Sequence, residues 1–166
     1  MSWPEPVSRV AAVLQEAAVD ARIEQFEEGA ATARDAAKAV GCELPQIVKS
    51  IVFVCDDAYV LVLVPGDRRA DEKAVAAALG ATEVRVARAD EVLEATGFEA
   101  GGVAPFPQKA ISRTLMDSSF LQHQVVWIGA GTHLHMAALA PSEAAAAPAR
   151  SERTSVSATS RSSGPR

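Results

Sequence analysis

Two apolar runs, Ile47–Val54 and Tyr59–Val64, set only a few polar residues apart by Asp56-Asp57, constrain this chain more than any other feature. Both are rich in β-branched residues and each is long enough for one buried strand. An aspartate pair between such runs is a turn signal, and Pro65-Gly66-Asp67 stops the second run, so the centre of the chain reads as a β-hairpin.

The flanking segments read mostly as helices and short strands. Pro4 and Pro6 suit a helix start, and Val7, Val10, Ala11, Val13, Leu14, Ala17 and Ala18 follow at helical spacing to about Val19. Ile23 and Phe26 mark a short extended segment. Thr32-Ala33-Arg34-Asp35 has the spacing of a capping box and opens a second helix, with Gly41 placed as its C-terminal cap. Asp71 and Glu72 open a third helix that Gly80 closes, with acidic residues at its positive end. Glu83–Ala87 reads as a strand and Asp90–Thr96 as a short helix; Ala110–Met116, Gln124–Ile128 and His133–Leu139 are further strand candidates. The order is mixed rather than regularly βα. The expected organisation is one domain over 1–148 and a disordered Ser/Ala/Arg-rich tail over 149–166, in which too few large apolar residues remain to offset the entropy of ordering.

Charge bears on partners. The tail carries Arg150, Arg153, Arg161 and Arg166 against Glu152, so the body before it is more acidic than the whole chain's net charge of −5. Gripping double-stranded DNA through many phosphates needs a basic face, which this body lacks. No apolar run approaches the roughly 20 residues of a membrane span, and the N-terminus lacks the basic start of a signal peptide, so a cytoplasmic location without membrane attachment is expected. Cys42 and Cys55 do not form a CxxC pair and read as small buried hydrophobes.

The candidate chemistry centres on Gly101-Gly102-Val103-Ala104-Pro105-Phe106 and on Lys49. Adjacent glycines let a substrate oxygen approach the main chain, and Pro105 fixes the turn, which makes an oxyanion or carboxylate cradle; the same residues also spell an ordinary tight turn. Lys49 lies in an apolar strand on the parity of Ile47, Ile51 and Phe53. Either its ammonium reaches water along its own stem or it is one positive charge held at a pocket rim. Asp117, followed by Ser118-Ser119-Phe120, reads as an Asx turn or N-cap. His133 and His135 face the same side of a strand, but a metal site would need a third ligand and none stands at a recognised spacing. No metal and no other cofactor are expected. A GxSxG nucleophile elbow is absent.

Gln46-Ile47-Val48-Lys49-Ser50-Ile51-Val52-Phe53, then Val64-Pro65-Gly66-Asp67-Arg68-Arg69, then Thr96-Gly97-Phe98 leading into Gly101–Phe106, and finally Met116-Asp117-Ser118-Ser119 together resemble the YbaK/ProX family, stand-alone relatives of the editing insertion of bacterial prolyl-tRNA synthetase. The similarity runs from about Thr32 to about Ser142. It implies a mixed α/β (α+β) fold with a curved, largely antiparallel sheet flanked by helices, and hydrolysis of mischarged aminoacyl-tRNA in trans. Lys49 matches the family's strand lysine near the tRNA 3′ end, Gly101 and Pro105 its GxxxP turn, Asp117 the aspartate of its D-x-S element, and Thr32 the region of its helix-capping threonine. The chain departs from the pattern at Pro107-Gln108-Lys109 and at Phe120, and the His133–His135 segment does not align with the editing domain's histidine.

The resulting expectation is a trans-editing deacylase for translation fidelity. Water attacks the ester of an aminoacyl-tRNA 3′ end in a pocket formed by Lys49 and the Gly101–Pro105 turn. Lys49, Gly101, Gly102 and Asp117 are the expected catalytic residues; Thr32, Lys49, Gly101, Val103, Pro105, Phe106 and Ser119 are expected to hold substrate. The alternatives are a non-catalytic module that binds the aminoacyl or tRNA end, a partner surface for an aminoacyl-tRNA synthetase, and a metal-dependent hydrolase built on His133 and His135.

Overall fold

The computed structural model describes residues 2–27, 32–146 and 151–159. The predicted hairpin is its centre: β2 (Val48–Cys55) and β3 (Ala58–Pro65) pair antiparallel from Val48↔Pro65 to Cys55↔Ala58. Asp56 takes a φ of 52° in the connecting turn, a left-handed conformation that short polar side chains tolerate. Its carboxylate accepts the Thr82 and Glu83 N–H groups, pinning the hairpin tip to the segment before β5 (Val84–Val86).

β3 is buried on both faces, and its alternation divides two cores. Leu61 and Leu63 join a core with Val48, Val52, Phe98, Phe106 and Ile128, while Val60, Val62 and Val64 join a second with Phe53, Val75, Leu115 and Val156. The five-stranded sheet runs β5-β2-β3-β6-β9, where β6 is Ile111–Asp117 and β9 Ser151–Thr154. β2 and β5 pair antiparallel, whereas β3–β6 and β6–β9 are parallel. An antiparallel sheet of β1 (Arg22–Gln25), β8 (His135–Leu139) and β7 (Val126–Gly129) joins the larger one at an Ile47↔Trp127 bridge. The fold is therefore mixed α/β, with antiparallel and mixed sheets and helices against them.

The helices follow their local signals. α1 (Glu5–Glu16) buries Val7, Val10 and Leu14 and stops three residues short of the expected Val19. α2 (Ala33–Val40) is capped by the Thr32 hydroxyl, which accepts the Asp35 N–H, and ends on Gly41 at φ 73°. Asp71 caps α3 (Glu72–Leu79), and Gly97 closes α4 (Ala89–Thr96). α5 spans Pro141–Ala146. No helix among the described residues is long and apolar enough to cross a membrane.

The tail departs from expectation. Residues 151–154 and 157–159 form strands instead of disorder: β9 extends the main sheet, and β10 (Ser157–Thr159) pairs with β4 (Arg68–Ala70), a segment to which the sequence patterns assign no element. Two features explain the ordering. Val156 is fully buried in the second core, and the buried Asp117 carboxylate accepts its N–H. The remaining tail positions, 149–150 and 160–166, lie outside the described residues.

Candidate functional site

A cavity of about 350 Å³ opens where α2, the start of β2, the glycine turn and the loop entering β8 meet. Its floor is apolar: Ala33, Ala36, Ile47, Val48 and Met136 contribute. Its polar groups come from far-separated positions, namely Thr32, Lys49, Ser50, Thr132, His133 and His135, and the backbones of Gly101, Val103 and Gly129 close one side. A few converging polar groups over an apolar floor is the usual make-up of a small-ligand site.

Lys49 is half-buried on β2, and its ammonium donates to the Arg68 carbonyl of β4. Burial pushes its pKa down, and the negative charge of Asp67 partly opposes that shift. The next residue, Ser50, holds a buried hydroxyl with no hydrogen-bond partner among the described residues. Thr32 shows how a local signal places a wall residue: the oxygen that caps α2 also fixes the helix start beside the cavity.

The glycine turn splits its labour. Gly101 has a φ of 93°, and an added Cβ would meet open space. Gly102 instead presses against the β7–β8 loop, where a Cβ would stand 2.7 Å from Thr132 Cα and 2.9 Å from the Gly131 oxygen. Its N–H already donates to the Glu99 carbonyl at 3.0 Å, and it lines a neighbouring cavity of about 290 Å³ rather than the main one. The expected pair of backbone donors is thus reduced: Gly102 shapes the turn, while the Gly101 and Val103 N–H groups have no hydrogen-bond partner among the described residues.

Besides Gly102, four expected residues stand away from the main cavity. Pro105 and Phe106 are buried, Phe106 in the first core at 1% exposure, so the second half of the turn anchors rather than contacts. Asp117, 2% exposed, accepts the Ser119 N–H and Val156 N–H at 3.0 and 3.1 Å and the Ser119 and Ser157 hydroxyls. Burial alone would raise its pKa; these hydrogen bonds, led by the Ser119 and Ser157 hydroxyls, outweigh it and hold the carboxyl below the usual range. Both oxygens are occupied, so Asp117 has no free lone pair for a water at the cavity, and Ser119 is spent on Asp117.

His135 enters in their place. Its ring is 2% exposed, Nδ1 lies 2.6 Å from the Thr132 hydroxyl, Trp3 packs edge-on at 5.5 Å, and Nε2 is buried without a partner. Burial, aided by the nearby charge of His133, pushes its pKa down, which favours a neutral ring. β8 begins at His135 and His133 stands in the turn before it, so the two do not share the expected strand face; both line the cavity with Lys49, a meeting that depends on the β1-β8-β7 sheet docking beside β2. Among the described residues no three His, Cys, Asp or Glu side chains gather as a metal site.

The family model for the aminoacyl-tRNA editing domain matches residues 27–146. The chain is 41% identical over 85 residues to a proline–tRNA ligase of Lactobacillus johnsonii, a stretch covering 51% of this chain and 15% of the ligase. It is 33% identical over 122 residues to protein YwhH of Bacillus subtilis, covering 73% of this chain and 77% of that protein. Among solved structures, a candidate trans-editing enzyme for prolyl-tRNA synthetase superposes with a TM-score of 0.86 at 30% identity, covering 95% of this chain and 99% of the other. The hypothetical protein APE2540 superposes with a TM-score of 0.81 at 26% identity, covering 90% of this chain and 99% of that one.

Proposed function

The chain belongs to the aminoacyl-tRNA editing domain family, and on that premise we propose that it is a stand-alone deacylase that hydrolyses the ester of a mischarged tRNA in the cavity between Lys49 and the Gly101 turn. The observation that carries this reading is that Lys49, Gly101, Val103 and His135 line one cavity of about 350 Å³, with the Gly101 and Val103 N–H groups unpartnered among the described residues. That volume suits an aminoacyl group with its terminal ribose.

In the proposed reaction the ester carbonyl oxygen lies against the Gly101 and Val103 N–H groups. Water adds to the carbonyl carbon, and the negative charge that develops on the oxygen is stabilised by these fixed donors. The bond from carbon to the ribose oxygen then breaks, one of the attacking water's protons passes to that ribose oxygen, the other is released to solvent, and the free amino acid leaves as its carboxylate. Lys49 supplies a positive charge to the terminal phosphate or the carbonyl. His135 and Ser50, whose Nε2 and hydroxyl are buried without a hydrogen-bond partner among the described residues, supply polar groups to the aminoacyl end. No side-chain nucleophile is required, since an aminoacyl ester is already activated.

The acidic body is compatible with this substrate. A protein that grips only the single-stranded 3′ end neutralises few phosphates, so its affinity for tRNA falls only shallowly with salt. Amino-acid release from a panel of charged tRNAs (Ala, Cys, Ser, Thr and Pro) tests the proposal. Turnover on a mischarged member supports it; binding of tRNA without release from any member replaces it with a non-catalytic binding module.

A further inference from the structure

The backbone group that receives the Lys49 ammonium belongs to β4, and β4 has one ladder partner among the described residues, the tail strand β10. In that ladder Arg68, the acceptor, stands opposite Thr159, and Ala70 opposite Ser157. The tail is fastened just before the ladder begins. Val156 donates its N–H to Asp117, receives the Asp71 N–H at 2.8 Å on its carbonyl, and buries its side chain completely between Val64, Val75 and Leu115. The Ser157 hydroxyl adds a 2.7 Å bond to the same Asp117 oxygen.

We propose that the C-terminal segment is a strap that positions Lys49, with Asp117 as its buckle: Asp117 holds Val156 and Ser157, these hold β10 against β4, and β4 presents the Arg68 carbonyl to the lysine. This builds on the reaction proposed above, and it gives a role to a carboxylate that is absent from the cavity. Asp117 is then a positioning residue, acting on the site through two strands. A mere sheet-edge cover does not account for the arrangement, because β9 already covers β6 while β10 pairs with nothing but β4 among the described residues. The charged and titratable groups around the lysine are Asp67, whose charge favours the ammonium form, and His133 and His135, which line the same cavity.

The test uses full-length chain and a readout that needs no substrate: the pH titration of the Lys49 side chain followed by NMR, with exchange of the amides of residues 68–70 to report on β4. In Ser157→Ala the 68–70 amides should exchange faster, and the Lys49 pKa should move up toward that of an ordinary lysine as its burial relaxes. Ester hydrolysis should fall roughly 10-fold to 100-fold, the scale on which a misplacement of about 1 Å acts, with no further fall when Ser157→Ala is added to Lys49→Ala. If the 68–70 amides are unchanged, Val156→Asp, whose charge the second core cannot accommodate, expels the strap and repeats the measurement. An unaltered Lys49 titration in either variant once those amides exchange faster overturns the proposal, as do losses that multiply in the double variant. A wild type that hydrolyses no charged tRNA would fail the reaction but leave the Lys49 titration to judge the strap.

Discussion

Gly129 at the end of β7 and Val103 in the glycine turn meet backbone to backbone: a Cβ on Gly129 would penetrate the Val103 carbonyl oxygen and stand 3.2 Å from its carbon. Both residues line the main cavity, so this contact sets how far the turn stands from the sheet. Gly129→Ala must push the turn away. Overpacking of this kind costs about 1–3 kcal/mol, and the Gly101 and Val103 N–H groups move with the turn. We expect ester hydrolysis to fall by about 100-fold or more in a chain that remains folded, checked by kinetics beside urea unfolding.

Gly101→Ala separates conformation from crowding. Its Cβ meets nothing within 4 Å, but its φ of 93° is unfavourable for alanine. A destabilisation of about 1–2 kcal/mol is expected from the backbone alone. Gly102→Ala, whose Cβ would strike Thr132 and Gly131, should lose more. Equal unfolding midpoints for the two variants would contradict this assignment.

His135 makes stability depend on pH. Burial holds its folded-state pKa below the unfolded value of about 6.5. Its neutral form therefore contributes stability that is fully present above about pH 6.5 and is lost as pH falls through the folded pKa, because the unfolded chain takes up the proton first. The urea midpoint should decline from pH 7 to pH 5, and His135→Asn should flatten that decline.

Glu91 acts in a lower window. Its carboxylate takes a two-pronged hydrogen bond from the Arg85 guanidinium at 2.8 Å on each oxygen and also accepts the Arg88 N–H, which together lower its pKa to about 2. The folded value lies below the unfolded one of about 4.3, so its contribution is present above the unfolded value and disappears as pH falls toward 2. Glu91→Gln should lose the stability slope between about pH 4.5 and 2 while behaving like the wild type in the slope nearer neutrality; urea melts across that range check it.

Locally coded features of this fold were legible in the chain. The β2–β3 hairpin, the Thr32 and Asp71 caps and the Gly41, Gly80 and Gly97 stops all depend on neighbours within a few residues. What was not legible depends on distant pairing. β4 and β10 are short and mostly polar, and among the described residues each has the other as its ladder partner. The tail orders through a single valine and a carboxylate 39 residues before it. In the site, Lys49, Thr32, Gly101 and Val103 could be picked out from their local patterns, whereas Thr132 and Gly129 carry no motif and reach the cavity only through the docking of the β1-β8-β7 sheet. Asp117 was legible as an Asx turn, and the structure has it in that role as well as holding the tail.

The most direct test of the proposed chemistry is the rate of amino-acid release from the mischarged tRNA that the wild type hydrolyses best, measured beside Lys49→Ala. Loss of one preorganised charged group at such a site costs about 10²–10³ in rate, and a drop of that size with unchanged folding is the expected result. Equal rates for wild type and Lys49→Ala would contradict the assignment of this cavity as the place of reaction.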